Sequence, residues 1–514
     1  MASKIILGNI SELVENILNN LNNEIYSLYS CSLVNRLWCK ASIPMLWQDP
    51  FSLVKNPNFI SSYFSSFDED GRFILKNYGI IVDIPNTSFH YASFLKVFNC
   101  FLLDSKVEQW IKFKFFYQRK NIIEIKNHLV NLLFKTFIES GATLSRLDLF
   151  IPEYFVKIKS ETFDSLSQNR LFLSQLNDLY VDIVPEPYME NFIATFLRII
   201  YQNSRKINNL KIGYNKQLST EYLHIIRSQA ELKSFSLLGN DRCSRKLCGV
   251  ISALENQKKT LKEIVLDHCV YNSEFKVLMK CENLEIIRIS YCDEKLFELL
   301  NISLCRISTL EISSYSVNAS DIIQILETSG SLLQRLKLNS ADLKINSQSL
   351  LLKTLMAFCP NIIYLYISSV RLSTQFVEFI SSSRKLQFLT LCWINEGSVR
   401  RMRTRVMQFA KVLPPTLQYL DLSNFIFDPH ITSLLINCNA PLKKLLFHIN
   451  YDRKYEKRIK ALLEFCTRKR TLNSVNVNKY KFITGVSDDS WNKIKRDIEG
   501  YTKLVSYECI VVAC

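Results

Sequence analysis

Residues 307–312 read Ile-Ser-Thr-Leu-Glu-Ile, with Ile307, Leu310 and Ile312 at positions one, four and six. The same apolar spacing starts again at Leu144, Leu176, Ile207, Leu232, Leu261, Leu284, Leu333, Ile362, Leu386, Leu417, Leu442 and Leu472. With Ile307 that makes thirteen occurrences at intervals of 23 to 32 residues. Positions four and six alternate with their neighbours, which is the period of a short strand with one buried face. So short a strand cannot bury that face alone, and each must stack on the next. Parallel stacking requires crossover segments, and the intervals supply them. In residues 217–230, Leu218, Tyr222, Ile225 and Ile226 fall on one helical stripe. Residues 320–328 and 349–359 read the same way.

A short apolar motif at a period of roughly 20–29 residues is the signature of a leucine-rich repeat. In such repeats the ninth position is often Asn or Cys, whose side chain can bond the loop backbone as the strand ends. Asn215, Asn240, Cys269, Cys292 and Asn450 stand there. The other eight repeats carry other residues, so the array resembles a degenerate member of the class. The predicted fold is α/β: residues 141–514 form a leucine-rich-repeat solenoid of about 13 irregular repeats, a curved parallel sheet with outer helices.

Composition limits the remaining choices. At 514 residues the chain exceeds a single ordinary core. Only 11 Gly and 12 Pro argue against long flexible linkers. No uncharged apolar run reaches 18 residues, so no membrane span is expected. The N-terminus lacks the pattern of a secretory signal. The fifteen cysteines are expected to be reduced thiols, in keeping with a cytoplasmic or nuclear address. None are spaced C-x-x-C, which removes the usual zinc-ribbon spacing.

The net charge is +16. Basic clusters sit at Arg400, Arg401, Arg403 and Arg405, at Arg453, Lys454, Lys457, Arg458 and Lys460, and at Arg468, Lys469 and Arg470. A solvated face accounts for them more simply than a nucleic-acid patch, because the charges are scattered.

The chemistry-bearing motifs are missing. Six histidines are dispersed, and there is no H-E-x-x-H, G-x-S-x-G or phosphate-binding glycine string. His268 beside Cys269 is read as a strand-end neighbour rather than a catalytic pair. Neither an enzyme, a cofactor nor a metal site is expected.

Residues 1–50 depart from the repeat. Asn9 with Glu12 looks like a capping box. Ile10, Leu13, Val14, Ile17, Leu18 and Leu21 then mark one helical face. A second apolar series follows at Ile25, Leu28 and Tyr29. A third helix is expected over 32–41, ended by Pro44. Three short helices carrying Trp38 and Trp47 cannot bury these side chains among themselves, so they call for a partner. Residues 51–140 are rich in aromatics, unlike a disordered linker. They are expected to form helices that cap the first repeat, including one over 122–139. Asp68-Glu69-Asp70-Gly71 reads as a turn.

The segments Cys31-Ser32-Leu33-Val34-Asn35-Arg36-Leu37-Trp38 and Pro44-Met45-Leu46-Trp47, with Leu7 and the helix through Leu21, resemble an F-box. The usual opening Leu-Pro is replaced here by Leu7-Gly8. An F-box followed by repeats is similar to the F-box/leucine-rich-repeat proteins of large fungal families. That resemblance implies a non-catalytic substrate receptor of a Skp–cullin–F-box ubiquitin ligase. It implies a Skp-family adaptor bound by Leu7, Ile10, Leu13, Ile17, Leu33, Val34, Trp38, Leu46 and Trp47, a cullin held through that adaptor, and a protein substrate held by the repeats. Without the resemblance, the same residues read as a repeat scaffold that binds a protein or nucleic acid with no ligase.

Strand alternation puts the residues flanking positions four and six on the concave side. On this reading Arg288, Arg335, Lys337, Tyr364, Tyr366, Phe388 and Tyr419 cluster on neighbouring strands. They would make a basic and aromatic patch suited to an acidic or phosphorylated segment. The simpler alternative is a row of solvated strand positions.

Overall fold

A computed structural model describes residues 2–21, 24–80, 89–115, 122–152, 158–184, 190–239, 247–299, 306–315, 319–340, 345–393, 399–423, 430–449, 455–479 and 495–506. The chain divides into two compact units, Met1–Thr260 and Leu261–Cys514.

The first unit opens with three helices, α1 (Ala2–Asn19), α2 (Ile25–Ser32) and α3 (Arg36–Leu46). The second expected helix is α2. Three expectations about helix ends fail here. Helix α1 runs through Asn9 rather than starting at it. A mid-helix Gly such as Gly8 costs only about 1 kcal/mol, and the residues before it extend the helix. Pro44 lies inside α3 rather than ending it. Pro removes a single N–H near the last turn, and Met45 and Leu46 just beyond it pack on the core of Val14, Leu18 and Leu28. Helix α3 starts at Arg36 rather than at 32, because Ser32 ends α2 and Asn35 caps α3, its Oδ1 accepting from Leu37 N at 2.9 Å and Trp38 N at 3.1 Å.

The following segment is an aromatic core. Phe51, Tyr63, Phe64, Phe98, Trp110 and Phe137 are buried. Trp110 Nε1 donates to Ser61 Oγ at 3.0 Å, so its one polar atom is satisfied. The helix expected over 122–139 is Ile122–Glu139. Asp68 is not in a simple turn. It caps the helix Glu69–Asn77, with Oδ1 accepting from Gly71 N at 2.8 Å.

Five strands stand in this unit, β1 (Val97–Asn99), β2 (Arg146–Ile151), β3 (Asp178–Ile183), β4 (Asn209–Gly213) and β5 (Ser234–Leu238). Each pairs in parallel with the next. Strands β2–β5 are the first four repeats. Strand β1 extends the pairing back into the segment before the first repeat, where no repeat was read although Leu95, Phe98 and Cys100 stand buried at positions one, four and six, with Cys in place of the aliphatic residue at six.

The second unit continues the pattern with β6 (Glu263–Asp267), β7 (Ile286–Ser290), β8 (Thr309–Ser314), β9 (Arg335–Ser340) and β10 (Tyr364–Val370). Then come β11 (Phe388–Trp393), β12 (Tyr419–Leu422), β13 (Lys444–Ile449), β14 (Ser474–Lys479) and β15 (Lys503–Leu504). These too pair in parallel in chain order. Strands β2–β14 therefore carry the thirteen repeats read from sequence.

Burial explains the motif. Position one is at most 6% exposed in all thirteen repeats, from Leu144 to Leu472. Position four is at most 2% exposed, from Leu147 to Val475. Each such side chain contributes about 1.5–3 kcal/mol relative to exposure. The crossovers are helical, as in Ser219–Ser228, Ala319–Ser329 and Ile345–Phe358, and Tyr222, Ile225 and Ile226 turn inward as expected.

A second device stitches neighbouring repeats in the first unit. Buried Gln229 accepts from Ile207 N at 3.0 Å and donates to Ile225 O at 2.9 Å and Ser204 O at 3.2 Å. Gln257 does the same one repeat later, accepting from Leu232 N at 3.1 Å and donating to Gln229 O at 3.0 Å. The position-one N–H groups are thus paired although they precede the ladder. Of the ninth-position residues, Asn215 accepts from Gln217 N at 3.0 Å, and Cys269 and Cys292 are buried, with Cys269 N donating to Cys292 Sγ at 3.2 Å. Asn240 and Asn450 lie outside the described residues.

Candidate functional site: two apolar and aromatic faces

The first candidate face is on the three N-terminal helices. Leu13 is 60% exposed, Ile17 48%, Leu33 71% and Val34 62%. Leu13 and Ile17 are one helical turn apart on α1, while Leu33 and Val34 occupy the turn between α2 and α3. Tyr26 and Tyr29 on α2 are exposed too. So many large apolar side chains on so small a body are the mark of an interaction surface. The remaining residues named for this face have other places. Trp38 and Leu46 pack against the Val14, Leu18 and Leu28 core and support the face from beneath. The structure sets Trp47 at the junction with the next segment, where its ring lies 5.3 Å edge-on to Tyr63 and 4.1 Å from Tyr91. Gln48 beside it accepts from Lys96 N and Val97 N, both at 3.0 Å. Leu7 and Ile10 lie on α1, with side chains outside the described residues.

The second candidate face is the sheet surface of the second unit. Register puts Thr309, Arg335, Tyr364, Phe388 and Tyr419 in one row across β8–β12. Arg288, Glu311, Lys337, Tyr366 and Thr390 form a row two residues further along the strands. Neighbouring strands are about 4.8 Å apart, so each row is a continuous strip. The Arg335 guanidinium lies 4.8 Å from the Tyr364 ring centre, and Lys337 Nζ 5.6 Å from that of Tyr366. Tyr364, Phe388 and Tyr419 follow one another at 6.4 and 6.0 Å.

Register thus brings all seven expected residues together, but their character differs from the expectation. Arg288 donates to both Glu263 and Glu311, and Lys337 Nζ is 3.8 Å from the second Glu311 oxygen. Two cations meet two carboxylates, so this network carries no net charge and is not the basic patch expected. Alternation places Glu311 in the same row as Arg288 and Lys337, but which side chains pair there depends on the stacked neighbours. Tyr364 and Tyr419 are 3% and 1% exposed, because stacked rings on adjacent strands cover one another. Tyr419 also packs on Leu446, with Phe388 and Val505 against the pair. Arg335, Lys337, Tyr366 and Phe388 remain partly accessible.

A third feature was not singled out from sequence. In the first unit a cleft of about 590 Å³ runs across β1–β5, lined by Asn99, Asp148, Tyr180, Lys211 and Asp178 among others. Asp148 is 5% exposed and held by Arg146, with Nε at 3.0 Å and Nη2 at 2.9 Å, and by Asn99 Nδ2 at 3.1 Å. Tyr180 donates to Asp182 Oδ2 at 2.8 Å, and Lys211 Nζ lies 4.5 Å from the Tyr180 ring centre. Burial and then the Asp182 bond push the Tyr180 phenol well above its ordinary range. The same between-position reading that gave the second face runs through Asp148, Tyr180, Lys211 and Ser236, and would have found this cleft.

No group of three or more metal-ligating side chains occurs among the described residues. No helix among them is long and apolar enough to cross a membrane.

No protein-family model matches the sequence, and no curated protein matches it. Among solved structures, the chain is similar to the leucine-rich repeat-containing protein LegL7 from Legionella pneumophila, at 15% identity and a TM-score of 0.34. That match covers 61% of this chain and 96% of that one. It is also similar to a chain of the TLR13–ssRNA13 complex, at 15% identity and a TM-score of 0.33, over 68% of this chain and 44% of that one. These likenesses concern the fold alone.

Proposed function

We propose that the chain is the substrate-recognition subunit of a Skp–cullin–F-box ubiquitin ligase. The observation that carries the reading is the exposure of Leu13, Ile17, Leu33 and Val34 on helices whose buried core, among the described side chains, is Val14, Leu18 and Leu28. The order of these helices and the Ser-Leu-Val-Asn-Arg-Leu-Trp segment suit an F-box. In this reading α1–α3 dock on a Skp-family adaptor, which holds the cullin. The repeats hold a protein substrate on the β8–β12 surface. The chain then acts by raising the local concentration of substrate near a charged conjugating enzyme, with no bond-making of its own.

The test is co-purification of adaptor and cullin with the full chain and with the double variant Leu33→Glu, Val34→Glu. Both side chains are exposed, so the variant should melt at the same temperature as the parent. The expected result is adaptor capture by the parent and its loss in the variant. If the parent captures no adaptor, or the variant captures it equally, the ligase reading falls. A leucine-rich-repeat scaffold without a ligase then remains.

A further inference from the structure

The charge of the chain is unevenly placed. Residues 399–470 contain fifteen Lys and Arg against five Asp and Glu, a net +10 of the chain's +16. Two outer helices of the second unit carry most of it, Val399–Val412 and Tyr455–Lys469. Val399–Val412 has five basic residues and no acidic one. The short uncharged helix Ile431–Asn437 packs between the two.

Several of these cations have structural work. Arg468 donates to Leu435 O and Ile436 O at 2.6 Å, closing the C-terminus of the intervening helix. Lys469 donates to Asn439 O at 3.0 Å, and Arg405 to Leu372 O at 3.2 Å. Arg403, Lys411, Lys457 and Lys460 are different. All four are exposed, and among the described residues none has a carboxylate within ion-pair distance. On Val399–Val412 the inward stripe is Met402, Val406, Phe409 and Ala410, which leaves Lys411 outermost. On Tyr455–Lys469 the inward stripe is Ile459, Leu462, Phe465 and Cys466, which leaves Lys460 facing out.

We infer that this outer face binds double-stranded nucleic acid through its phosphates, without reading sequence. Three observations select that partner. Net positive charge on two neighbouring outer helices, with these four exposed cations unpaired among the described residues, complements a dense polyanion. Arg403 and Lys411 are eight residues apart, about 12 Å along the axis. A duplex presents a charge about every 1.7 Å, so several phosphates lie within that span. Among the described side chains of the two helices none is an exposed aromatic of the kind on which single strands stack their bases. Nor can the face enter a bilayer, because the apolar stripe of both helices is already buried in the repeat core.

The experiment measures binding of a fluorescently labelled 24-base-pair duplex of arbitrary sequence to the full chain, over a range of KCl concentrations. The parent should bind duplexes of different sequence alike, and log affinity should fall linearly with log salt. Changing Arg403, Lys411, Lys457 and Lys460 together to Gln should lower affinity at least about tenfold and reduce the salt slope by roughly one per residue removed. A control changes the exposed Lys216, Lys233, Lys276 and Lys295 to Gln instead, lowering net charge equally at other sites. It should keep affinity within about twofold. Equal loss in the control would show general charge attraction and overturn the proposal. So would unchanged binding by the first variant, or tighter binding to vesicles containing phosphatidylserine than to the duplex. Circular dichroism of both variants verifies that the repeats remain folded.

Discussion

Arg288 donates its Nε–H to Glu311 Oε1 at 2.6 Å, across the boundary between two repeats. Its Nη1 reaches Glu263 on the other side. One guanidinium therefore ties three adjacent strands, β6, β7 and β8. Replacing Arg288 by Met should leave Glu263 and Glu311 facing each other and cost about 1 kcal/mol, a modest figure because the side chains keep some solvent. Urea unfolding checks this. If the reading of the substrate surface holds, substrate capture by this variant should change less than capture by Tyr366→Ala with Phe388→Ala, whose rings are not spent on ion pairs.

Gly213 allows Asp182 to sit where it does. A Cβ there would come within 2.1 Å of Asp182 Oδ1. Gly213→Ala should force Asp182 aside, break its 2.8 Å bond from Tyr180 and destabilise the first unit by about 1–3 kcal/mol. Adding Asp182→Ala should recover part of that loss. Thermal melts of the single and double variants decide it, and no recovery would mean that the clash is not with Asp182.

Gln229→Leu keeps the volume of the side chain but leaves Ile207 N, Ser204 O and Ile225 O without it. These groups are buried, so the change should cost about 1–3 kcal/mol. Glu231→Gln, on an exposed neighbour, should cost nothing measurable in the same urea titration.

Burial pushes the thiol of Cys359 up to about 12, and those of Cys438 and Cys466 up to about 11. A raised folded pKa means that the native state favours the protonated thiol. The stability this contributes is complete below the unfolded value near 8.5–9 and is lost as pH rises through the folded values. Unfolding free energy should therefore decline from about pH 9 toward pH 11. Replacing the three cysteines by Ala should flatten that decline, even though it lowers stability at pH 7. In native protein at pH 8, iodoacetamide should label exposed Cys248 well before these three. After unfolding without reductant, all fifteen thiols are expected to label.

The repeat is legible in the chain alone. Thirteen apolar triplets gave thirteen strands, because positions one, four and six must be buried for a strand to stack, and burial leaves a fixed spacing in the chain. The helices Ser219–Ser228 and Ile122–Glu139 are legible for the same reason, through their apolar stripe. So is the list of residues on the two rows of β7–β12, since alternation is local.

What those residues do follows from their neighbours in space. Arg288 lost its free charge to Glu263 and Glu311, which lie 25 and 23 residues away along the chain. Tyr364 and Tyr419 lost their exposure to rings on neighbouring strands. Trp47 went to Tyr63 and Tyr91, and Leu46 to Leu18 and Leu28, because the nearest apolar surface in space was not the nearest in sequence. Helix α3 passed Pro44 for a like reason, as packing of Met45 and Leu46 outweighs one missing hydrogen bond. A periodic pattern is written in the chain because burial repeats with the backbone. Charge pairing, stacking and helix ends depend on which repeats become neighbours, and that is settled only when the strands stack.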